Sequence, residues 1–310
     1  MSKPSVSIII RTLNEERYLP ELLTSIQRQR SAFSYEVVLI DSGSTDNTLN
    51  IAERFGCRIL HISRAEFSFG RSLNRACEVA HGTYLVLISG HCIPRDQYWL
   101  EHLIQPLVNR AVHYCYGRQE GTPSTYWSER QIFAKYFPET SAIPQLGFYC
   151  NNANSALLAE TWKRYYFNED LTGLEDMDLA KRLVADKGRV GYVANASVLH
   201  IHHETWRQVQ LRFEREALAL QQICPEVILR QRDVARYFTR GVIRDLLSSF
   251  PDKISPTTLY YILRYRFHQY MGSYLGNHLH KRMSSALRDA YFYPTQSKGQ
   301  PLAIRSFSKA

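Results

Sequence analysis

Four times in its first hundred or so residues the chain follows an apolar run of strand length with a helical pattern, and this alternation constrains the fold more than anything else in it. The runs are Val6–Ile10, Glu36–Ile40, Arg58–Ile62 and Tyr84–Ile88. After the first, Leu19, Leu22, Leu23 and Ile26 fall at i, i+3, i+4 and i+7, with Pro20 tolerated in the first helical turn. After the second, Asp41-Ser-Gly-Ser-Thr-Asp-Asn-Thr48 is a loop of turn formers and N-cap residues leading into a helix through Phe55, closed by Gly56. Leu73, Ala76, Cys77 and Ala80 share a third helical face, and Leu100, Leu103, Ile104 and Leu107 a fourth. Strands that are apolar throughout need cover on both faces. The pattern therefore predicts an α/β fold with a mostly parallel sheet and helices on either side.

The middle is less regular. Val112, Tyr114 and Tyr116 alternate as in a half-exposed strand, and residues 121–144 read as an aromatic, turn-rich loop holding a short helix. Residues 151–158 suggest another strand. Gly173-Leu-Glu-Asp-Met-Asp-Leu-Ala-Lys-Arg-Leu183 opens a helix with three acids in its first turn, where the helix dipole favours negative charge. Tyr192–Leu199 is a strand running into His200-Ile-His-His203, and Val209, Phe213, Ala217 and Leu220 mark the helix after it. Beyond about Arg230 the composition shifts toward Arg, Tyr and Phe. There Leu263, Phe267, Tyr270, Met271 and Tyr274 form one helical stripe, with Arg264, Arg266 and His268 pointing elsewhere. Such a stripe fits core packing, an anionic membrane surface or an oligomer contact. The expected division is a domain over 1–230 and a basic helical extension over 231–310, whose polar tail from Gln296 is expected to be disordered.

With 310 residues, 45% hydrophobic and 22% charged, the chain can bury a large core as a soluble globular protein. No apolar run approaches transmembrane length, and Met1-Ser-Lys-Pro4 leads straight into the first strand, so no signal peptide is expected. Six scattered cysteines without a Cys-x-x-Cys pair point to reduced, mostly buried thiols in a cytosolic protein. The formal charge of +9 suits an anionic partner. Zinc-finger spacing and an aromatic-rich RNA-binding pattern are both missing. That disfavours nucleic acid and leaves a nucleotide or a membrane phosphate.

Three polar clusters follow strand runs, where ligands of an open α/β sheet sit: the Asp41 loop, Ser89-Gly90-His91 and His200-Ile-His202. A fourth, Glu175-Asp-Met-Asp178, opens a helix. A carboxylate at Asp41 can accept hydrogen bonds from a ribose or a base, or it can simply cap its own turn. The three acids can complement the helix dipole, or one of them can act as a general base. Gly-x-Gly-x-x-Gly and Gly-Lys-Ser/Thr are absent, so dinucleotide binding and P-loop chemistry have no support.

Five segments occur in a telling order: Ile8-Ile-Ile-Arg-Thr-Leu-Asn-Glu-Glu16, Val37-Val-Leu-Ile-Asp-Ser-Gly-Ser-Thr-Asp-Asn-Thr48, Gly70-Arg-Ser-Leu-Asn-Arg-Ala76, Asn154-Ser-Ala156 and Leu174-Glu-Asp-Met-Asp-Leu-Ala-Lys-Arg182. Together they resemble the family-two inverting glycosyltransferases of GT-A fold, most of all bacterial enzymes that build surface polysaccharides. The likeness covers roughly residues 5 to 220. It implies a nucleotide-diphospho-sugar transferase fold, a nucleotide-sugar donor and a glycan or lipid-linked acceptor. By the same likeness Thr12 and Glu15 would lie at the nucleoside edge, Asp41 on the base or ribose, and Arg71 near the nucleotide. Ser89, Gly90 and His91 take the place of the family's Asp-x-Asp, which holds a divalent metal against the diphosphate. Asp176 of the Glu175-Asp176 pair would be the base. His200 matches a position that ligates metal in some members, with His202 as the substitute.

Inverting transfer is a single displacement at the anomeric carbon. An acceptor hydroxyl must lose its proton to a positioned carboxylate, while a metal or cationic side chains stabilise the leaving nucleoside diphosphate. Serine and histidine in place of two carboxylates suit Mn2+ or a later transition metal better than Mg2+. The other option is a metal-independent enzyme in which Arg71, Arg95 or a protonated histidine faces the diphosphate. The expected protein is cytoplasmic or peripheral on the inner face of the membrane, with a membrane or self-association contact through the C-terminal extension. Its rival is a non-catalytic nucleotide-sugar-binding or scaffold subunit of a polysaccharide assembly complex.

Overall fold

The computed structural model describes residues 4–248, 255–278 and 285–293. In chain order the elements are β1 (Val6–Thr12), α1 (Leu19–Gln27), β2 (Tyr35–Asp41), α2 (Thr48–Arg54), β3 (Arg58–His61), α3 (Phe69–Val79), β4 (Tyr84–Ser89), β5 (Cys92–Pro94) and α4 (Trp99–Val108). They continue as β6 (Tyr114–Glu120), α5 (Trp127–Tyr136), β7 (Asn154–Leu158), α6 (Ala159–Tyr165), α7 (Glu175–Ala185), β8 (Val190–His200), α8 (Trp206–Ile223), α9 (Gln231–Ser248), α10 (Pro256–His278) and α11 (Ser285–Phe292).

The strands form one sheet in the order β3-β2-β1-β4-β7-β6-β8-β5. Its first half is parallel, as the alternation predicts, with β1 between β2 and β4. Residues 6–10 of β1 are buried on both faces. Val6, Ile8 and Ile10 pack with Leu19, Leu22 and Leu23 of α1 and Trp99 of α4, while Ile9 faces Leu73 of α3 and Leu179 of α7. The second half is mixed: β7 is antiparallel to β4 and β6, β5 is antiparallel to β8, and β6 runs parallel to β8. The half-exposed strand expected at Val112–Tyr116 needs correcting. Cys115 and Gly117, on the face expected to be open, are buried as well as Tyr114 and Tyr116, because β6 lies inside the sheet between β7 and β8.

In the C-terminal helices α10 lies against α8. Gly272 and Gly276 allow the approach, since a Cβ at either would stand 2.3 Å from the Gln210 carbonyl oxygen or 2.0 Å from that of Glu214. α9 runs antiparallel beside α10, with Tyr237 stacked on Tyr270 and Arg266 Nε donating to Asp245 Oδ2 at 2.8 Å. Ser128 Oγ and Trp127 Nε1 bond the same aspartate from α5. The expected stripe is corrected accordingly. Leu263 and Phe267 are exposed, whereas Arg266, expected to point away, is the buried partner of Asp245. The tail from Gln296 lies outside the described residues. Among those described, no helix is long and apolar enough to cross a membrane. All six cysteines are unpaired and five are buried.

Candidate active site

Gly90 and His91 turn the chain from β4 into β5, and β5 pairs with the end of β8 so that Cys92 faces His200. Gly90 leaves room for Glu15, since a Cβ there would meet Glu15 Cγ at 2.8 Å and force that side chain to move. Ile201 N donates to the His91 carbonyl at 3.2 Å, which extends the pairing by one bond. The result is a cluster of three imidazoles, with ring centroids 5.2 Å apart for His91 and His200, 5.8 Å for His91 and His202, and 4.1 Å for His200 and His202. One nitrogen from each ring lies within 4.8 Å of the others.

Each ring is anchored through Nδ1. The partners are Glu15 Oε1 for His91 (2.7 Å), Gln119 Oε1 for His200 (2.7 Å) and Glu129 Oε1 for His202 (2.8 Å). The Gln119 amide is itself fixed by donating to Asn151 Oδ1 at 3.0 Å. Carboxylate and amide oxygens only accept, so each Nδ1 carries its proton, and in the neutral imidazole each Nε2 offers a lone pair. Burial, followed by the neighbouring His202 and His91, holds the His200 pKa well below the ordinary histidine range. Burial alone would lower His91 too, but Glu15 reverses the sign and raises it. Burial would raise the Glu129 carboxyl, yet Arg212 and His202 hold it down at about 2. A second grouping, Glu129, His202 and Glu204, already has its cation: Arg212 Nη2 lies 2.7 Å from an oxygen of each glutamate.

The acid pair stands at the head of α7. Just before it Leu174 adopts φ +56°, a left-handed conformation uncommon for a bulky residue. Glu175 and Asp176 are only 4% and 6% exposed, which would be costly for a helix-dipole role alone. Asp176 accepts from Asn152 N at 2.8 Å and from Met177 N at 2.7 Å, and Asn152 Nδ2 donates to Glu175 Oε1 at 3.4 Å. Arg11, at the end of β1, places Nη1 3.5 Å from Glu175 Oε1. Burial first and the Glu175 charge second push the Asp176 carboxyl up to about 8, against the pull of the two N–H donors and Arg11. The third acid, Asp178, instead accepts from Arg182 Nε one turn on, at 2.9 Å.

Other residues singled out in the sequence are placed as follows. Thr12 and Asp41 are register partners, with Thr12 Oγ1 3.3 Å from Asp41 Oδ1. Asp41 also caps its own loop, accepting from Gly43 N and Ser44 N at 2.9 Å each. Ser89 closes β4 beside the histidines. Arg71 Nε lies 2.7 Å from Glu169 Oε2, and Arg95 is exposed. The cation brought to the acids is therefore Arg11, which the sequence reading did not single out. Asn152, Gln119 and Glu129 were also missed. Only Arg11 carried a signal, as a lone charge closing an otherwise apolar strand.

The sequence model of the family described as Glycosyl transferase family 2 matches residues 7–163, half of the chain. The O-antigen chain rhamnosyltransferase WbaN of Salmonella anatum is 28% identical over 227 residues, 68% of this chain and 70% of that one. A PGL/p-HBAD biosynthesis glycosyltransferase of Mycobacterium tuberculosis is 40% identical over 92 residues, which are 28% of this chain and 36% of that one. Among solved structures, the mannosyltransferase PcManGT from Pyrobaculum calidifontis, in complex with GDP-Man and Mn2+, shares the fold. That likeness covers 96% of this chain and 89% of the other at a TM-score of 0.60 and 16% identity.

Proposed function

We propose that this chain, which belongs to glycosyl transferase family 2 and is a glycosyltransferase of GT-A fold, moves a sugar with inversion from a nucleotide-sugar donor to a glycan or lipid-linked acceptor in bacterial surface-polysaccharide synthesis. The observation that carries the reading is the buried Glu175–Asp176 pair beside Arg11. Asp176 serves as the base. Burial brings its proton affinity close to the working pH, where a general base is most effective. Asn152 N and Met177 N hold the carboxylate in place, and Arg11 favours its ionised form. Glu175 keeps Arg11 at the site.

The three histidines suit a divalent metal, because their Nδ1 atoms are tied to outer partners and their Nε2 lone pairs are left free. His91, His200 and His202 would hold it, and neutral imidazoles favour Mn2+ or a later metal over Mg2+. When bound, such an ion supplies positive charge against the leaving diphosphate. The complex of PcManGT with GDP-Man and Mn2+ supports this choice, and the O-antigen role of WbaN supports the polysaccharide setting. A cytoplasmic site of action follows from a nucleotide-sugar donor.

The test is thermal stability against a panel of nucleoside diphosphates with Mn2+, Mg2+ or chelator, alongside transfer by Asp176→Asn. A ligand that binds only the folded state raises the midpoint by mass action. The reading expects one nucleotide to raise it, more so with Mn2+, and Asp176→Asn to end transfer while keeping that shift. Loss of the shift in the variant would give Asp176 a structural role. Donor binding by the wild type without transfer or donor hydrolysis would favour a scaffold subunit.

A further inference from the structure

α9 carries an arginine at every fourth position, Arg232, Arg236, Arg240 and Arg244, and all four are exposed. Residues four apart share a helix face, so the guanidiniums form one stripe along the rod. Ile243 and Leu247 lie within that stripe and are 49% and 66% exposed. The opposite face is turned to the protein, with Asp245 buried on Arg266 and Gly241 against Tyr270 and Arg266 of α10. The arginine face therefore points away from the body of the molecule. Among the described residues no carboxylate forms an ion pair with any of the four.

Four like charges on one helix face repel one another unless an anion answers them. What lies between them identifies that anion. A polyanion in water offers nothing to Ile243 and Leu247. A bilayer of acidic phospholipids takes the guanidiniums at its phosphates and the two apolar side chains just beneath. We propose that the outer face of α9 is a docking surface for a membrane leaflet rich in anionic phospholipids. This rests on α9 alone and is independent of the reaction proposed for the histidine and acid cluster.

The full chain is sedimented with vesicles of equal phosphatidylglycerol and phosphatidylcholine, and with vesicles of phosphatidylcholine alone, at low and raised salt. Binding is expected to the first and not the second, weakening with salt. Each basic residue near an anionic leaflet strengthens association about fivefold, so changing all four arginines to Gln should lower partitioning on the order of several hundred-fold. Changing all four to Lys should largely preserve it. The pair Ile243→Ser and Leu247→Ser should weaken vesicle binding while leaving binding to duplex DNA unchanged. No variant should lower the thermal midpoint, because the changed side chains are exposed. No sedimentation with the anionic vesicles, or equal sedimentation of the Gln variant, would overturn the proposal. So would DNA bound as tightly as vesicles with no effect of the Ser pair. A dimer at sedimentation equilibrium that the Gln variant dissolves would assign the face to self-association instead.

Discussion

Asp176→Asn is expected to make the protein more stable near pH 8 while ending transfer. Burial and the Glu175 charge raise the carboxyl from 3.8 to about 8 in the folded state. At a pH below the unfolded value both states hold the proton, and ionisation costs nothing. As pH rises past it, the unfolded chain releases its proton first, so stability falls until the folded value is reached and then levels off. One unit of separation is worth about 1.4 kcal/mol, so a shift from 3.8 to about 8 sets a ceiling on the order of 5 kcal/mol. Asparagine escapes that penalty, but its single oxygen can accept from only one of Asn152 N and Met177 N. Stranding the other N–H returns about 1–3 kcal/mol. The net expectation is a gain of about 2 kcal/mol near pH 8 that becomes a loss near pH 4. Urea unfolding of the two proteins across that range measures it. A stability difference equal at both ends would refute the raised carboxyl, whatever the variant does to activity.

Three further outcomes follow from the same geometry. Transfer by the wild type should climb with pH toward about 8, because the base works only when ionised, and a flat profile would count against Asp176. Glu15→Gln should weaken binding of Mn2+ alone by roughly 10–100-fold, read from a metal titration of the thermal midpoint, since the His91 ring loses the carboxylate that orients it. Gly276→Val sets a Cβ 2.0 Å from the Glu214 carbonyl oxygen and should cost about 1–3 kcal/mol in urea unfolding by prising α10 from α8.

The parallel half of the sheet was legible because its strands are apolar on both faces and its helices repeat at 3–4 spacing, and burial follows both patterns. β6 was misread for a physical reason. Val112, Tyr114 and Tyr116 alternate with His113, Cys115 and Gly117, which looks like buried against exposed but is in part large against small. Cys115 is fully buried, and a Cβ on Gly117 would stand 2.2 Å from the Ala196 carbonyl oxygen, so the second face is crowded rather than open. α10 failed differently. Counting apolar residues selects Leu263 and Phe267, yet the buried face follows two glycines and an arginine, because close backbone approach and an ion pair decide the packing. Hydrophobic periodicity sees neither.

At the site, each histidine was visible at the end of a strand, but their meeting depends on β5, three residues that no periodicity can reveal. The outer partners were hidden because sequence distance separates them from what they hold. Glu15 lies 76 positions from His91, and Glu129 lies 73 from His202. These two residues also change how the site's charge is counted. By position alone, Ser89-Gly90-His91 in the place of Asp-x-Asp removes two carboxylates and argues for a weak cation site. In the folded chain two carboxylates stand directly behind the imidazoles, where each makes its ring a stronger donor. The negative charge stands behind an imidazole ring and a hydrogen bond, and the lone pairs facing that centre have become nitrogen. Under the metal reading proposed above, this arrangement would favour a borderline metal over Mg2+ for a reason that no count of charges along the sequence supplies.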